Sequence, residues 1–322
     1  MKIVAFEVSK NELEYFNNSN YDVKTYEECL SIENINLTKG YDAISVLGRS
    51  FVTKEMIDIL VENNIKVLGT RTVGYDHIDI KYAKSKGIKV ANSKYGPNGV
   101  ADYTVMLILM CLRHYKQAMF RANVNDYSLK GLQGKEMHSL KVGIIGTGNI
   151  GGQVARNLSG FGCELIGYDM YQNESIKDIL TYVSLEELYS QSDIITLHSP
   201  YLESTKYMIN KDSIGKMKDG VIIINCARGE LIKTDDLVEA VESGKIGALG
   251  LDVLENENGI YHQDLRSDII SNRNMAYLRQ FPNVIMTQHM AFFTKEAVRS
   301  MVLNSLQGLD ELSNKGESKF EL

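Results

Sequence analysis

Positive charge is not in excess in this sequence. Its 35 Lys and Arg residues are outnumbered by 41 Asp and Glu, a formal net charge of −6 at pH 7. Tracking a nucleic-acid backbone needs a cationic face, so nucleic acid is not expected as a partner. Cysteine is scarce. Cys29, Cys111, Cys163 and Cys226 show no CxxC or Cys/His metal spacing, so no metal site is expected. All four lie in apolar or helical surroundings, which reads as buried thiols in a reducing compartment and places the protein in the cytoplasm. Long apolar runs are missing too. "VMLILMCL" is one side of a longer helix, so no membrane partner is expected. "MKIVAFEVSK" is too brief an apolar run for a signal peptide and has no small-residue cleavage site after it. Tandem repeats, low-complexity tracts and a flexible linker are also absent. What is present is a 322-residue chain, 44% hydrophobic and 24% charged, long enough for two domains.

Short apolar runs alternate with helical patterns. "KIVAFEV", "YDVKTY", "YDAISVLG", "IKVLGTR" and "IKVANS" read as strands, with helices "TKEMIDILVENN" and "DIKYAKSKG" between them. This series ends near the turn-rich "KYGPNG". The stretch "VADYTVMLILMCLRHYKQAMFRANV" then reads as one long helix, apolar on more than one face and suited to pack on a second subunit. A second series follows: "KVGIIG", "CELIGYD", "DIITLHS", "GVIIINCA", "GALGLDV" and "NVIMTQH". The final "TKEAVRSMVLNSLQGLDEL" is an amphipathic helix. Two alternating series predict an α/β protein with two doubly wound parallel sheets, whose ligands bind beyond the carboxyl ends of the strands.

"KVGIIGTGNIGGQVARNL" is the strongest local signal. Gly146 permits a tight turn, Gly148 lets the backbone approach a pyrophosphate, and Gly151 lets the helix pack on the strand. The helix N-terminus then offers N–H groups to phosphate oxygens. The next strand ends in Asp169, placed to accept both hydroxyls of an adenosine ribose. That carboxylate would repel a 2′-phosphate, and no arginine follows it at once, so the expected cofactor is NAD. Three polar residues follow strands of the second series: Arg228, Glu257 and His289. Each alone has a plain structural explanation as a strand-end or loop residue. Together a cation, an acid and an imidazole on one sheet edge form a chemical set.

The motifs "GTRTVGYDHID", "KYGPNGVADYTVMLIL", "VGIIGTGNIG", "SDIITLHSP", "MKDGVIIINCARGELI", "GALGLDVLENE" and "PNVIMTQHMAFFT" span nearly the whole chain. They resemble the D-isomer-specific 2-hydroxyacid dehydrogenases, most of all the D-lactate dehydrogenase branch. The resemblance implies a flavodoxin-like substrate domain, 1–99 completed by 292–322, and a Rossmann NAD domain, 100–291, that also carries a homodimer contact. It places the family's catalytic residues on Arg228, Glu257 and His289. Nucleotide contacts fall on Asn149, Ile150, Asp169, Ser199, Pro200, Thr205, Cys226, Ala227 and Asp252. Substrate carboxylate contacts fall on the backbone of Val73 and Gly74, with Tyr95 nearby, and on Arg228. Two positions depart from the family pattern: Gln288 replaces a proline before the histidine, and Lys233 replaces an aspartate after the arginine segment.

The implied reaction is reversible hydride transfer between NADH and pyruvate or a related 2-keto acid. His289 would protonate the carbonyl oxygen, Glu257 would orient the imidazole, and the Arg228 fork would hold the substrate carboxylate. A larger keto acid, giving 2-hydroxyisocaproate, phenyllactate or 2-hydroxyglutarate, is the alternative. Arg49 in "LGRSF" is the residue that would favour a dicarboxylate, while Tyr95, Phe292 and Phe293 suit an apolar side chain. Glu257, where formate dehydrogenases carry glutamine, speaks against that activity. A corepressor-like NAD(H) sensor is the remote alternative.

Overall fold

Each apolar run of the first series becomes a short strand. The structure is a computed structural model describing residues 1–322. It divides into two units, Met1–Gly96 with Phe293–Leu322, and Pro97–Phe292. In the first, the elements run β1 (Lys2–Ala5), α1 (Lys10–Asn17), β2 (Asp22–Thr25), β3 (Ala43–Val46), α2 (Lys54–Glu62), β4 (Val67–Thr70), α3 (Ile80–Ser85) and β5 (Lys89–Ala91). The sheet order is β2-β1-β3-β4-β5, parallel throughout. β3 and β4 are buried at every position, as parallel strands covered on both faces must be. One face takes Met56, Ile57 and Leu60 of α2 and Ala83 of α3. The other takes Val302, Leu306, Leu309 and Leu312 of the C-terminal helix Lys295–Asn314. The chain end is tied down as well: Asn92 N–H donates to Phe320 O at 3.0 Å and Leu322 N–H to Val90 O at 3.0 Å.

A fully buried arginine ties this unit together. Arg71 Nε donates to Glu12 Oε1 at 2.7 Å, Nη1 to Ser45 Oγ at 3.1 Å, and Nη2 to the carbonyls of Phe6 at 2.8 Å and Glu7 at 3.1 Å. A guanidinium is tolerated in a core only with its donors met this way. Glu12 lies on α1, a helix the apolar pattern does not show. Its signal is the reciprocal Ser9/Glu12 capping box.

The second unit runs α4 (Asn98–Leu112), α5 (Tyr115–Asn123), β6 (Lys141–Ile145), α6 (Asn149–Ser159), β7 (Glu164–Tyr168), β8 (Thr181–Tyr182), α7 (Leu185–Gln191), β9 (Ile194–Leu197), α8 (Lys211–Lys216), β10 (Val221–Asn225), α9 (Thr234–Glu242), β11 (Ile246–Leu251), α10 (Arg273–Leu278) and β12 (Val284–Met286). Its seven strands are parallel in the order β12-β11-β10-β9-β6-β7-β8. Alternate residues serve opposite faces. Val142, Ile144, Ile222 and Ile224 pack with α4 and α6, while Ile145, Ile223 and Leu249 pack with α7, α8, α9 and α10. Both units are therefore parallel-sheet α/β, the expected fold class.

The long helix expected after Val100 is instead two helices. His114 adopts φ +50°, which ends α4, and its Nε2 lies 3.1 Å from the Gln133 carbonyl. No Pro or Gly marks the break. The thiols differ in part: all four are free, Cys111 is a buried residue, and Cys29 and Cys163 are half-buried. No helix is long and apolar enough to cross a membrane.

Candidate active site

The seven-stranded sheet reverses its winding between β6 and β9, the place where open α/β sheets form a ligand crevice. The glycine turn leaves β6 at that point. Gly146 has φ +88°, a region that favours glycine, and a Cβ there would strike the His198–Ser199 backbone beyond β9. A Cβ on Gly151 would strike the Gly146 carbonyl. On Gly148 it would stand in open space with nothing within 4 Å. So Gly146 and Gly151 are required by the turn and by packing, and only Gly148 faces outward. Gly148 is the N-cap of α6, where no side chain caps the helix. The first-turn N–H groups of Asn149, Ile150 and Gly151 have no intrahelical acceptors. This is a cradle suited to phosphate oxygens.

Asp169 sits beside that cradle, just past β7. Its Oδ2 accepts from Thr147 N–H at 2.6 Å and Thr147 Oγ1 at 3.3 Å, and Oδ1 accepts from Tyr171 N–H at 3.0 Å. Ser199 and Pro200 follow β9, and Thr205, in the turn beyond them, donates its Oγ1 to Pro200 O at 2.7 Å. Next to it, His198 Nε2 meets Thr196 Oγ1 at 2.9 Å, and its Nδ1 is buried with no hydrogen-bond partner. The residues around the cradle fit a dinucleotide: an open helix end, an acid beside it and an imidazole nitrogen in reserve.

Burial pushes the His198 pKa down to about 3, against about 6.5 in an unfolded chain. Between those values the unfolded chain binds a proton that the folded chain refuses. Stability therefore rises with pH across that window, by up to about 1.4 kcal/mol per pH unit. Replacing His198 by Gln should flatten the stability–pH slope between about pH 4 and pH 6 by up to that amount, read by urea denaturation. A slope identical to the parent's would mean that the folded ring accepts its proton normally.

The other half of the sheet carries the three polar residues singled out in the sequence. Asn225, Leu251 and Met286, the last residues of β10, β11 and β12, are register partners across neighbouring strands. Arg228, Glu257 and His289 follow those three ends, so strand register alone puts them on one edge. His289 Nδ1 lies 2.5 Å from Glu257 Oε1, the two side chains being 30% and 18% exposed. A carboxylate accepts, so Nδ1 carries the proton, and Glu257 leaves Nε2 as the ring nitrogen it does not engage. The other Glu257 oxygen accepts from Leu254 N–H at 2.8 Å, which fixes the carboxylate.

His289 has φ +52°, an uncommon conformation for a non-glycine residue. Asp252, fully buried, holds it there. The Asp252 carbonyl accepts from His289 N–H at 2.7 Å. Its Oδ1 accepts from Thr287 Oγ1 at 2.6 Å and Met290 N–H at 2.9 Å, and its Oδ2 from Ala291 N–H at 2.8 Å. Three protein donors thus converge on the carboxylate that was expected to serve the nucleotide.

Arg228 is shaped by Asn225, which none of the sequence motifs singles out. Asn225 Nδ2 donates to Arg228 O at 2.8 Å and its Oδ1 accepts from Ala227 N–H at 3.0 Å. Arg228 Nη1 donates to Ala227 O at 2.8 Å. Gly229 then packs so closely on the Leu254–Glu255 backbone that a Cβ would overlap it, bringing the Arg228 loop against the loop that bears Glu257. The signal for Asn225 was there: one amide ending the apolar run "VIIIN". Cys226 has its thiol buried, which pushes its pKa up, with Asp252 adding to the rise.

The remaining candidates belong to the first unit. Val73 and Gly74 follow β4, in a loop held by Asn92 Nδ2 to Val73 O at 2.8 Å and Thr72 Oγ1 to Gly74 O at 2.5 Å. Tyr95 follows β5. Arg49 Nε lies 3.4 Å from Glu7 Oε2, whose carboxylate also accepts the N–H groups of Leu47, Arg49 and Ser50 and the Ser50 hydroxyl. Arg49 is thus an ion-paired loop residue.

Comparison with known proteins gives the chain a family. Residues 105–291 match the family described as D-isomer specific 2-hydroxyacid dehydrogenase, NAD binding domain. An aromatic 2-oxoacid reductase of Clostridium sporogenes is 42% identical over 99% of this chain and 98% of its own. A D-lactate dehydrogenase of Lactiplantibacillus plantarum is 35% identical over 100% and 99%. The crystal structure of D-lactate dehydrogenase with NAD+ from Lactobacillus jensenii superposes with a TM-score of 0.84 at 32% identity, covering 100% of this chain and 99% of that one.

Proposed function

The chain belongs to the D-isomer-specific 2-hydroxyacid dehydrogenase family, and on that premise we propose that it is an NAD-dependent D-lactate dehydrogenase, reducing pyruvate or a near relative to the D-2-hydroxy acid. The observation that carries the reading is the Glu257–His289 pair at 2.5 Å on the sheet edge shared with Arg228. Held at the Gly146–Gly151 cradle, NADH would supply a hydride for C2 of the keto acid. The protein's part is to place charge and one proton around that event. As C2 is reduced, negative charge grows on the carbonyl oxygen, and His289 Nε2 is positioned to give it a proton. Glu257 keeps the other ring nitrogen protonated and the ring aimed. The Arg228 guanidinium matches a carboxylate in shape and charge, so it fixes which face of the ketone is presented.

For the substrate carboxylate we also assign the first unit's Val73 and Gly74 N–H groups, with Tyr95 beside them. For the cofactor we assign the cradle of Gly146, Gly148, Asn149, Ile150 and Gly151 to the pyrophosphate and Asp169 to the ribose hydroxyls. Ser199, Pro200, Thr205, Cys226 and Ala227 line the same sheet edge. Asp252 acts by holding the His289 turn. We assign the apolar side of α4, with exposed Met106 and half-buried Leu109 and Met110, and the exposed Phe120 of α5, to contact with a second copy of the chain.

A second reading of the substrate has its own support: the Clostridium relative named for aromatic 2-oxoacids is 42% identical, and the Phe292 ring stands edge-on 6.2 Å from the His289 ring. One experiment decides. Purified protein, expected to elute at twice its 36.2 kDa chain mass, is given NADH or NADPH with pyruvate, 4-methyl-2-oxopentanoate, phenylpyruvate or 2-oxoglutarate. NADH oxidation with the highest kcat/KM on pyruvate supports the main reading. A preference for phenylpyruvate selects the second. No oxidation with any keto acid overturns both.

A further inference from the structure

We propose that His262 is a positioning residue for His289: it grips the peptide that follows His289 and so aims the imidazole. The inference rests on the reading of His289 as proton donor. His289 sits at φ +52°, and a non-glycine residue there costs on the order of 1–2 kcal/mol, so its neighbours must hold it. The His289–Met290 peptide is held at both ends. Its N–H, on Met290, donates to Asp252 Oδ1 at 2.9 Å. Its carbonyl, on His289, lies 3.2 Å from His262 Nε2. A carbonyl only accepts, so His262 carries a proton on Nε2 and donates it here. With a carboxylate on one end and an imidazole on the other, the peptide plane cannot turn without losing both bonds. That plane sets ψ of His289 and with it the direction of the side chain.

His262 is itself placed with care. It has φ +61° and ends a turn in which the N–H groups of Ile260 and Tyr261 donate to Glu257 O at 3.0 and 3.1 Å. Glu257 therefore holds the catalytic ring through its side chain and the His262 turn through its backbone. The rings of His262, His289 and Phe292 close a triangle, with centroids 6.2, 6.4 and 6.2 Å apart. His262 is not a second proton donor: its Nε2 is committed to the carbonyl.

Three variants test this with pyruvate and NADH. His262→Phe keeps a ring beside Phe292 and loses the donor, His262→Ala loses both, and His262→Gln keeps an N–H donor. Misplacing a catalytic group by about 1 Å costs about 100-fold, and loss of one of several restraints should cost about tenfold in kcat. Phe and Ala should show that fall with the KM for pyruvate and the affinity for NADH within about twofold, and Gln should recover most of it. In a His289→Ala background, His262→Phe should cost nothing further, because its effect passes through the missing ring. Parent-like turnover in His262→Phe, no recovery with Gln, or falls that multiply in the double variant would each overturn the inference alone. Full turnover in His289→Ala would remove the premise instead, and this inference with it.

Discussion

Alanine in place of His289 lowers kcat for keto-acid reduction by about 10²- to 10⁴-fold, the range that general acid catalysis supplies. The proton must come from a group within reach that is held in one tautomer, and the Glu257 contact at 2.5 Å provides that restraint. NADH affinity should stay within about twofold of the parent, because the cradle proposed for the pyrophosphate leaves β6 while His289 leaves β12, four strands away in the sheet. The two quantities are separable by single-turnover rates and by NADH fluorescence titration. Turnover within a few-fold of the parent, with normal cofactor binding, would show that another group delivers the proton. A joint loss of turnover and NADH binding would point to a collapsed sheet edge.

The three residues proposed to carry the chemistry were visible in the sequence because each follows a strand, and parallel strands read as short apolar runs. "VIIIN", "IGALGL" and "NVIM" mark β10, β11 and β12, and the positions of Arg228, Glu257 and His289 follow from those ends. The glycine turn was readable for the same reason. What was not readable is the set of bonds that aim these groups. Asp252 was expected to face the nucleotide, yet its donors come from residues 287, 290 and 291, more than thirty positions on. No local pattern encodes such a contact. His262 lies in a mostly polar loop with no strand or helix period to single it out. The break at His114 has no Pro or Gly to announce it, since a left-handed residue held by a distant carbonyl leaves no compositional trace. The helix α1 carries a capping signal, but it is short and mostly polar on its outer faces, so the apolar period alone passes over it.

Arg228 is the other position where a single substitution should be severe, and the two obvious substitutions should fail differently. Removing one partner of a desolvated, hydrogen-bonded charge pair costs about 2–5 kcal/mol, so Arg228→Ala should lose roughly 30-fold to a few thousand-fold in kcat/KM. Arg228→Lys keeps the charge and loses the fork. An ammonium is a point charge that cannot meet two carboxylate oxygens in one plane, so its main effect should be a raised KM for the keto acid. The loop around position 228 should survive either change, because Asn225 holds it through the backbone carbonyl of Arg228 and the N–H of Ala227, not through the guanidinium. That separation makes the test sharp: the melting temperature should hardly move while KM climbs. A lysine variant with the parent's KM would mean that the substrate carboxylate is not held by the Arg228 fork.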